Sequence, residues 1–133
     1  MTAPDHKQRR PPALKLKRPE PSESVVLDAI RRALRIHPAV AFAERINSGA
    51  HLAGEGASRR FIRYGFKGCP DLIGQLVDGR ALYVEVKKPS GRVSPEQAEF
   101  IERAKRFNAC AFVARSVSDV FAELDKTLAR AAA

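Results

Sequence analysis

Pro70-Asp71-Leu72-Ile73-Gly74-Gln75-Leu76-Val77-Asp78-Gly79-Arg80-Ala81-Leu82-Tyr83-Val84-Glu85-Val86-Lys87 is the stretch from which the rest of the chain can be read. Two segments with strand character, 71–77 and 81–88, flank the turn dipeptide Asp78-Gly79 and predict a β-hairpin. Leu72 and Leu76 share one face of the first strand, and Leu82, Val84 and Val86 share one face of the second. A two-residue turn at Asp78-Gly79 would put these apolar faces on opposite sides of the hairpin. A three-residue loop over 78–80, with Gly79 at positive φ, keeps them together and sets Leu72 opposite Val86. That register predicts Asp71 opposite Lys87, with Glu85 diagonal on the same face.

The arrangement has chemical consequences. Two carboxylates and an ammonium in one small space repel expensively unless a cation lies between the acids. Oxygen donors of this kind suit Mg²⁺ or Mn²⁺, ions that activate water against phosphodiesters. Asp71 and Glu85 would each give one oxygen, and the backbone carbonyl of Val86 could add a third. Lys87 points the same way as Glu85 and could hold the attacking water or steady charge on a phosphate. Taken singly, Pro-Asp and Glu-x-Lys read as ordinary charges on a half-exposed hairpin.

Outward from the hairpin, Ser94-Pro95-Glu96-Gln97 marks a helix start, with Ser at the N-cap, Pro in the first turn and Gln closing a capping box. The spacing predicts a helix to about Phe107 that buries Phe100, Ile101, Ala104 and Phe107, with Asn108 as a left-handed stop. Ala109–Arg115 reads as a short apolar strand. Ser116 and Asp119 open a last helix to about Ala129, burying Val120, Phe121, Leu124 and Leu128. Upstream, Ser22 caps a helix over 23–36 with Val26, Ile30, Ala33 and Leu34 on one stripe, ended by Pro38. Residues 39–47 and 60–64 read as strands and the segment from Asn47 to Gly56 as a loop. The expected fold is α/β, a mixed sheet flanked by helices in the order α-β-β-β-β-α-β-α.

Charge and composition narrow the partners. The 133-residue chain is 44% hydrophobic and carries a net charge of +9, which fits one globular domain that meets a polyanion. Residues 1–20 form a Pro-rich basic arm carrying +4, so residues 21–133 keep +5 and a basic face of their own. Arg59, Arg60, Arg63 and Lys67 cluster ahead of Asp71 and read either as a solvated strand or as an edge that grips phosphates. Aromatic residues are 7% of the chain and Trp is absent, so base stacking is not the expected mode of recognition. Cys69 and Cys110 are far apart, lack metal-ligand spacing and read as free thiols of a cytoplasmic protein. No stretch is apolar enough to predict a membrane span or a signal core.

In order, Arg45-Ile46-Asn47-Ser48-Gly49, Phe66-Lys67-Gly68-Cys69-Pro70-Asp71-Leu72, Tyr83-Val84-Glu85-Val86-Lys87 and Ser94-Pro95-Glu96-Gln97 resemble the VRR-NUC family. These are small members of the PD-(D/E)xK, restriction-endonuclease-like nuclease superfamily. The resemblance spans about residues 22–121. It implies Asp71, Glu85 and Lys87 as the catalytic core and Glu23 on the first helix as a further acid near the metal. Gln97 matches a helix glutamine that helps organise the site. Each of the last two also has a local explanation. An acid such as Glu23 is favoured at a helix N-terminus, and the capping box accounts for Gln97, whose side chain would have to choose between backbone and site. Arg45, Asn47, Ser48 and Lys88 are candidate nucleic-acid contacts, although Asn47 and Ser48 could equally shape a loop.

The expected protein is therefore a Mg²⁺- or Mn²⁺-dependent DNA endonuclease. By resemblance it would be a homodimer acting on branched DNA such as four-way (Holliday) junctions, since two-fold symmetry presents two sites to two strands. A non-catalytic DNA-binding module of the same fold and an RNA-directed nuclease are the alternatives. The intact Asp, Glu and Lys set argues against the former.

Overall fold

The computed structural model describes residues 17–46 and 49–133. Along the chain these form α1 (Glu23–Ile36), β1 (Val40–Arg45), β2 (Gly49–Ala53), a 3-10 turn (Gly56–Ser58) and β3 (Arg60–Tyr64). They continue as β4 (Leu72–Leu76), β5 (Ala81–Val86), α2 (Pro95–Arg106), β6 (Cys110–Ala114) and α3 (Val117–Ala132). Most of the arm at 1–20, together with Asn47 and Ser48, lies outside the described residues.

The helix starts are written in local chemistry. Ser22 accepts a hydrogen bond from Val25 N, Ser94 from Gln97 N and Ser116 from Asp119 N, each satisfying an amide that the first turn leaves without a partner. Asn108 stops α2 in the left-handed region at φ 67°, as its short polar side chain permits. The stripe Val26, Ile30, Ala33 and Leu34 is buried as its spacing requires.

The main sheet has the order β1-β4-β5-β6. β4 runs antiparallel to β1 and β5, while β6 lies parallel to β5, so α2 serves as the crossover that a parallel pair needs. Val26, Leu27, Ile30, Leu34, Val120 and Leu124 from α1 and α3 pack on Leu72, Leu76, Leu82, Val84, Val86 and Phe112 of one sheet face. The odd-numbered residues of β5, Ala81, Tyr83 and Glu85, point to the other face, where Phe100 of α2 meets Tyr83 edge-on at 5.1 Å. Gly74 admits the close approach of β1, since a Cβ there would collide with the Phe42 carbonyl.

Several expectations are corrected. Gly49–Ala53, expected as loop, is a strand paired antiparallel with β3 in a separate two-stranded ribbon, which adds one strand to the expected order. Its sequence, Gly-Ala-His-Leu-Ala, has little strand propensity of its own, and its partner defines it. The hairpin keeps its apolar faces together, but Leu72 faces Val84 instead of Val86. The loop is three residues long, over 77–79, because Leu76 N donates to Arg80 O at 2.8 Å. Gly79, at φ 92°, occupies the third loop position, where a type I turn followed by a left-handed residue places it. The shift moves Asp71 level with Glu85, not Lys87. Phe107 falls at the C-cap of α2 and is 82% exposed, and Phe121 lies at the edge of the core at 39%. Phe100, Ala104 and Leu128 are half-buried.

Candidate active site

Pro70 has no N–H, and the β4–β5 ladder ends with Leu72 facing Val84. Asp71 then substitutes its side chain for backbone: its Oδ2 accepts a hydrogen bond from Val86 N at 2.8 Å. Its own carbonyl accepts from Ile46 N at 2.9 Å. The carboxylate is thereby fixed at the open end of the hairpin, beside Glu85.

Glu85 is 2% exposed, the one charged residue fully buried among those described. Its Oε1 accepts from Gln97 Nε2 at 2.5 Å and lies 3.1 Å from Lys87 Nζ. Its Oε2 is buried with no hydrogen-bond partner, a situation that costs free energy unless something fills it. Burial pushes the Glu85 carboxyl up to about 7, and the neighbouring Asp71 charge pushes the same way, while Lys87 opposes both. Cys69 stands in the same wall, its thiol pushed up by burial first and then by the two carboxylates, so it is held protonated and unreactive.

Gln97 does not choose between backbone and site. Its Oε1 accepts from Ser94 N at 2.9 Å, while its Nε2 serves Glu85. One amide closes the capping box with one end and orients the buried carboxylate with the other.

Two positions that sequence reasoning missed hold the turn after Lys87. Arg115 Nη1 donates to the carbonyls of Lys88, Pro89 and Gly91 at 2.9, 3.2 and 2.7 Å. Glu20 accepts from Ser90 N and, at 2.8 Å, from Ser90 Oγ. Its carboxylate lies 3.9 Å from Lys88 Nζ. Neither residue has a motif around it, because both act across long stretches of sequence.

The predicted residues are not all gathered. Glu23 is exposed in the first turn of α1, where the helix dipole accounts for an acid. Among the described residues no three His, Cys, Asp or Glu side chains form a group that could hold a metal. Among the described residues Asp71 and Glu85 are the neighbouring carboxylates, and Glu23 forms no three-residue group with them. Arg45 faces Leu72 across the β1–β4 ladder, so strand alternation puts it on the α1 side, away from Glu85. Arg60 and Arg63 face Ala53 and Ala50 across the ribbon and point to opposite sides, so they do not make one gripping face. Arg59 is exposed beside the 3-10 turn. Lys67 pairs with Glu96 at 2.6 Å, and with Arg63 it lines a cavity that Gln97 also borders.

A divalent cation fits what remains. Glu85 Oε2 is an orphaned buried carboxylate oxygen, a second carboxylate stands beside it, and hard oxygen donors are what Mg²⁺ and Mn²⁺ take.

In comparison with known proteins, the sequence model of the VRR-NUC domain matches residues 22–118. No curated protein and no solved structure matches the chain. The match takes in Asp71, Glu85, Lys87 and Gln97 and runs from the N-cap of α1 to the first two residues of α3: the chain belongs to the VRR-NUC domain family, and its domain is of nuclease type.

Proposed function

We propose that this domain is a divalent-metal-dependent endonuclease that hydrolyses phosphodiester bonds of DNA, selects branched structures and works as a homodimer. The observation that carries the reading is Glu85: a buried carboxylate with one orphaned oxygen, set against a second carboxylate and an ammonium. Asp71, Glu85 and the Val86 carbonyl would hold Mg²⁺ or Mn²⁺. Such an ion would supply Lewis-acid chemistry at the phosphodiester, where charge builds in the transition state.

The chain's own groups do the rest. Val86 N–H fixes Asp71 through its Oδ2, and the other oxygen would serve the ion. Gln97 holds Glu85 in one rotamer. Lys87, its side chain 13% exposed, is the group placed to hold the attacking water by hydrogen bonding, or to stabilise negative charge on the phosphate. Arg63, Lys67 and Lys88 would neutralise the flanking backbone. Two copies related by a two-fold axis would present two such sites to two strands of a junction.

The test is cleavage of labelled four-way junction, flap, duplex and RNA substrates with Mg²⁺ or Mn²⁺, alongside Glu85→Ala and sedimentation of the free protein. Junction cutting that Glu85→Ala abolishes supports the reading. Tight DNA binding with no cleavage of any substrate would favour a binding module of the same fold.

A further inference from the structure

Beside the candidate active site, the ribbon β2–β3, the turn 66–69 and the first turn of α2 enclose a cavity of about 270 Å³. Arg63, Tyr64, Phe66, Lys67 and Gln97 are among its walls. Tyr64 and Phe66 are 46% and 51% exposed, so ring surface is left open to a ligand. Both are braced from behind. Tyr64 stacks on His51 with ring centres 5.2 Å apart, and Phe66 leans on Phe100 at 5.5 Å. Rings held this way have little conformational freedom left to lose when a ligand stacks on them.

The wall is also tied to the catalytic groups. Gly68, at φ 85°, lies so close to Glu96 that a Cβ would strike its carbonyl, and Lys67 is paired with Glu96. The turn is thus locked onto the first turn of α2, from which Gln97 reaches Glu85. A single side chain separates the cavity from the buried carboxylate.

From these contacts we propose that the cavity receives one unstacked nucleobase of a DNA strand, adjacent to the phosphodiester to be cut. The inference rests on the endonuclease reading for its substrate class. Tyr64 and Phe66 supply the faces on which the base stacks, and Arg63 in the cavity wall neutralises a phosphate beside it. A base inside a duplex has both faces covered by its neighbours and cannot enter, whereas one at a branch point, flap or bulge can. The cavity thereby makes structure a condition of binding without reading sequence. It also revises the expectation drawn from aromatic content: the aromatic residues are few, but two stand at the site.

The experiment is binding without divalent metal, so that turnover does not enter. Flap and bulged substrates carry, at the unpaired position, either 2-aminopurine or an abasic residue. The intact protein should bind the base-bearing DNA about tenfold more tightly, the factor one stacked base supplies, and quench the 2-aminopurine fluorescence. Tyr64→Leu and Phe66→Leu, which keep apolar bulk but lose the ring, should bring the two affinities together. Equal affinity of the intact protein for both substrates, absence of quenching, or variants that still discriminate would overturn the proposal. Discrimination without cleavage in later assays with metal would keep the cavity's role and sink the endonuclease reading alone. Should Phe66→Leu fail to fold, Tyr64→Leu, on an exposed strand, carries the test.

Discussion

Gln97 joins the N-terminus of α2 to the buried carboxylate of Glu85 through the two ends of a single amide, Nε2 to Glu85 Oε1 at 2.5 Å and Oε1 from Ser94 N at 2.9 Å. A residue that looks local is thus a positioning residue for a site 12 positions earlier in the chain. Replacing it separates the two tasks. Gln97→Glu keeps the acceptor that the capping box needs but sets a carboxylate against the buried Glu85. It should lower cleavage and, by like-charge repulsion, thermal stability near neutral pH, with the stability recovering as pH falls. Gln97→Ala loses both and should cost about 1 kcal/mol of stability as well. Equal activity of Gln97→Glu and the parent protein would remove Gln97 from the site.

Glu85 makes the metal-free protein sensitive to pH. Its carboxyl is raised from 4.5 to about 7 in the fold, so the folded state binds a proton that the unfolded state releases. The stability this group contributes is fully present below pH 4.5 and is lost as pH rises through about 7. Glu85→Gln has no such loss. Denaturant melts at pH 5 and pH 8 should show the variant gaining about 2.5 kcal/mol on the parent protein between the two. A difference that does not change with pH refutes the assignment.

The same carboxylate couples cation binding to proton release. On the proposed reading, Mg²⁺ or Mn²⁺ raises the melting temperature more at pH 8 than at pH 6, because the proton on Glu85 competes with the ion. Calorimetric titration in two buffers of different ionisation enthalpy should detect the released proton. Asp71→Asn should weaken the ion's effect and Glu85→Gln should abolish it.

Arg115 is expected to matter without touching substrate. Its Nη1 alone gathers three carbonyls of the turn that follows Lys87, at the end of a side chain longer than lysine's and carried by a rigid planar group. Arg115→Lys should leave substrate affinity nearly unchanged, lower turnover about tenfold by loosening Lys87, and speed hydrogen exchange of the 87–91 amides. An unchanged turnover with faster exchange would make the clamp purely structural.

Much of the architecture is legible locally. The Ser22, Ser94 and Ser116 caps, the Asn108 stop and the alternation of Leu72, Leu76, Leu82 and Val84 each express a backbone need met by a residue within four positions. The order of the acidic residues and the lysine, and hence the family resemblance, is likewise written in the chain.

Other features depend on partners distant in sequence. Strand β2 exists because β3 pairs with it, and the hairpin register follows from where Gly79 falls in the loop. The exposed place of Glu23, in the first turn of α1, is likewise set by how that helix packs and not by its neighbours in sequence.

By itself, then, the sequence determined every element but β2, most of the apolar faces and the identity of the charged groups, because propensity, capping and periodicity act over a few residues. Only the tertiary structure decided which of those groups meet: Gln97 on Glu85, Val86 N–H on Asp71, Arg115 and Glu20 on the 88–91 turn. Contacts of that kind form when distant segments pack, and burial then fixes their chemistry by stripping water from Glu85 and leaving one of its oxygens without a partner.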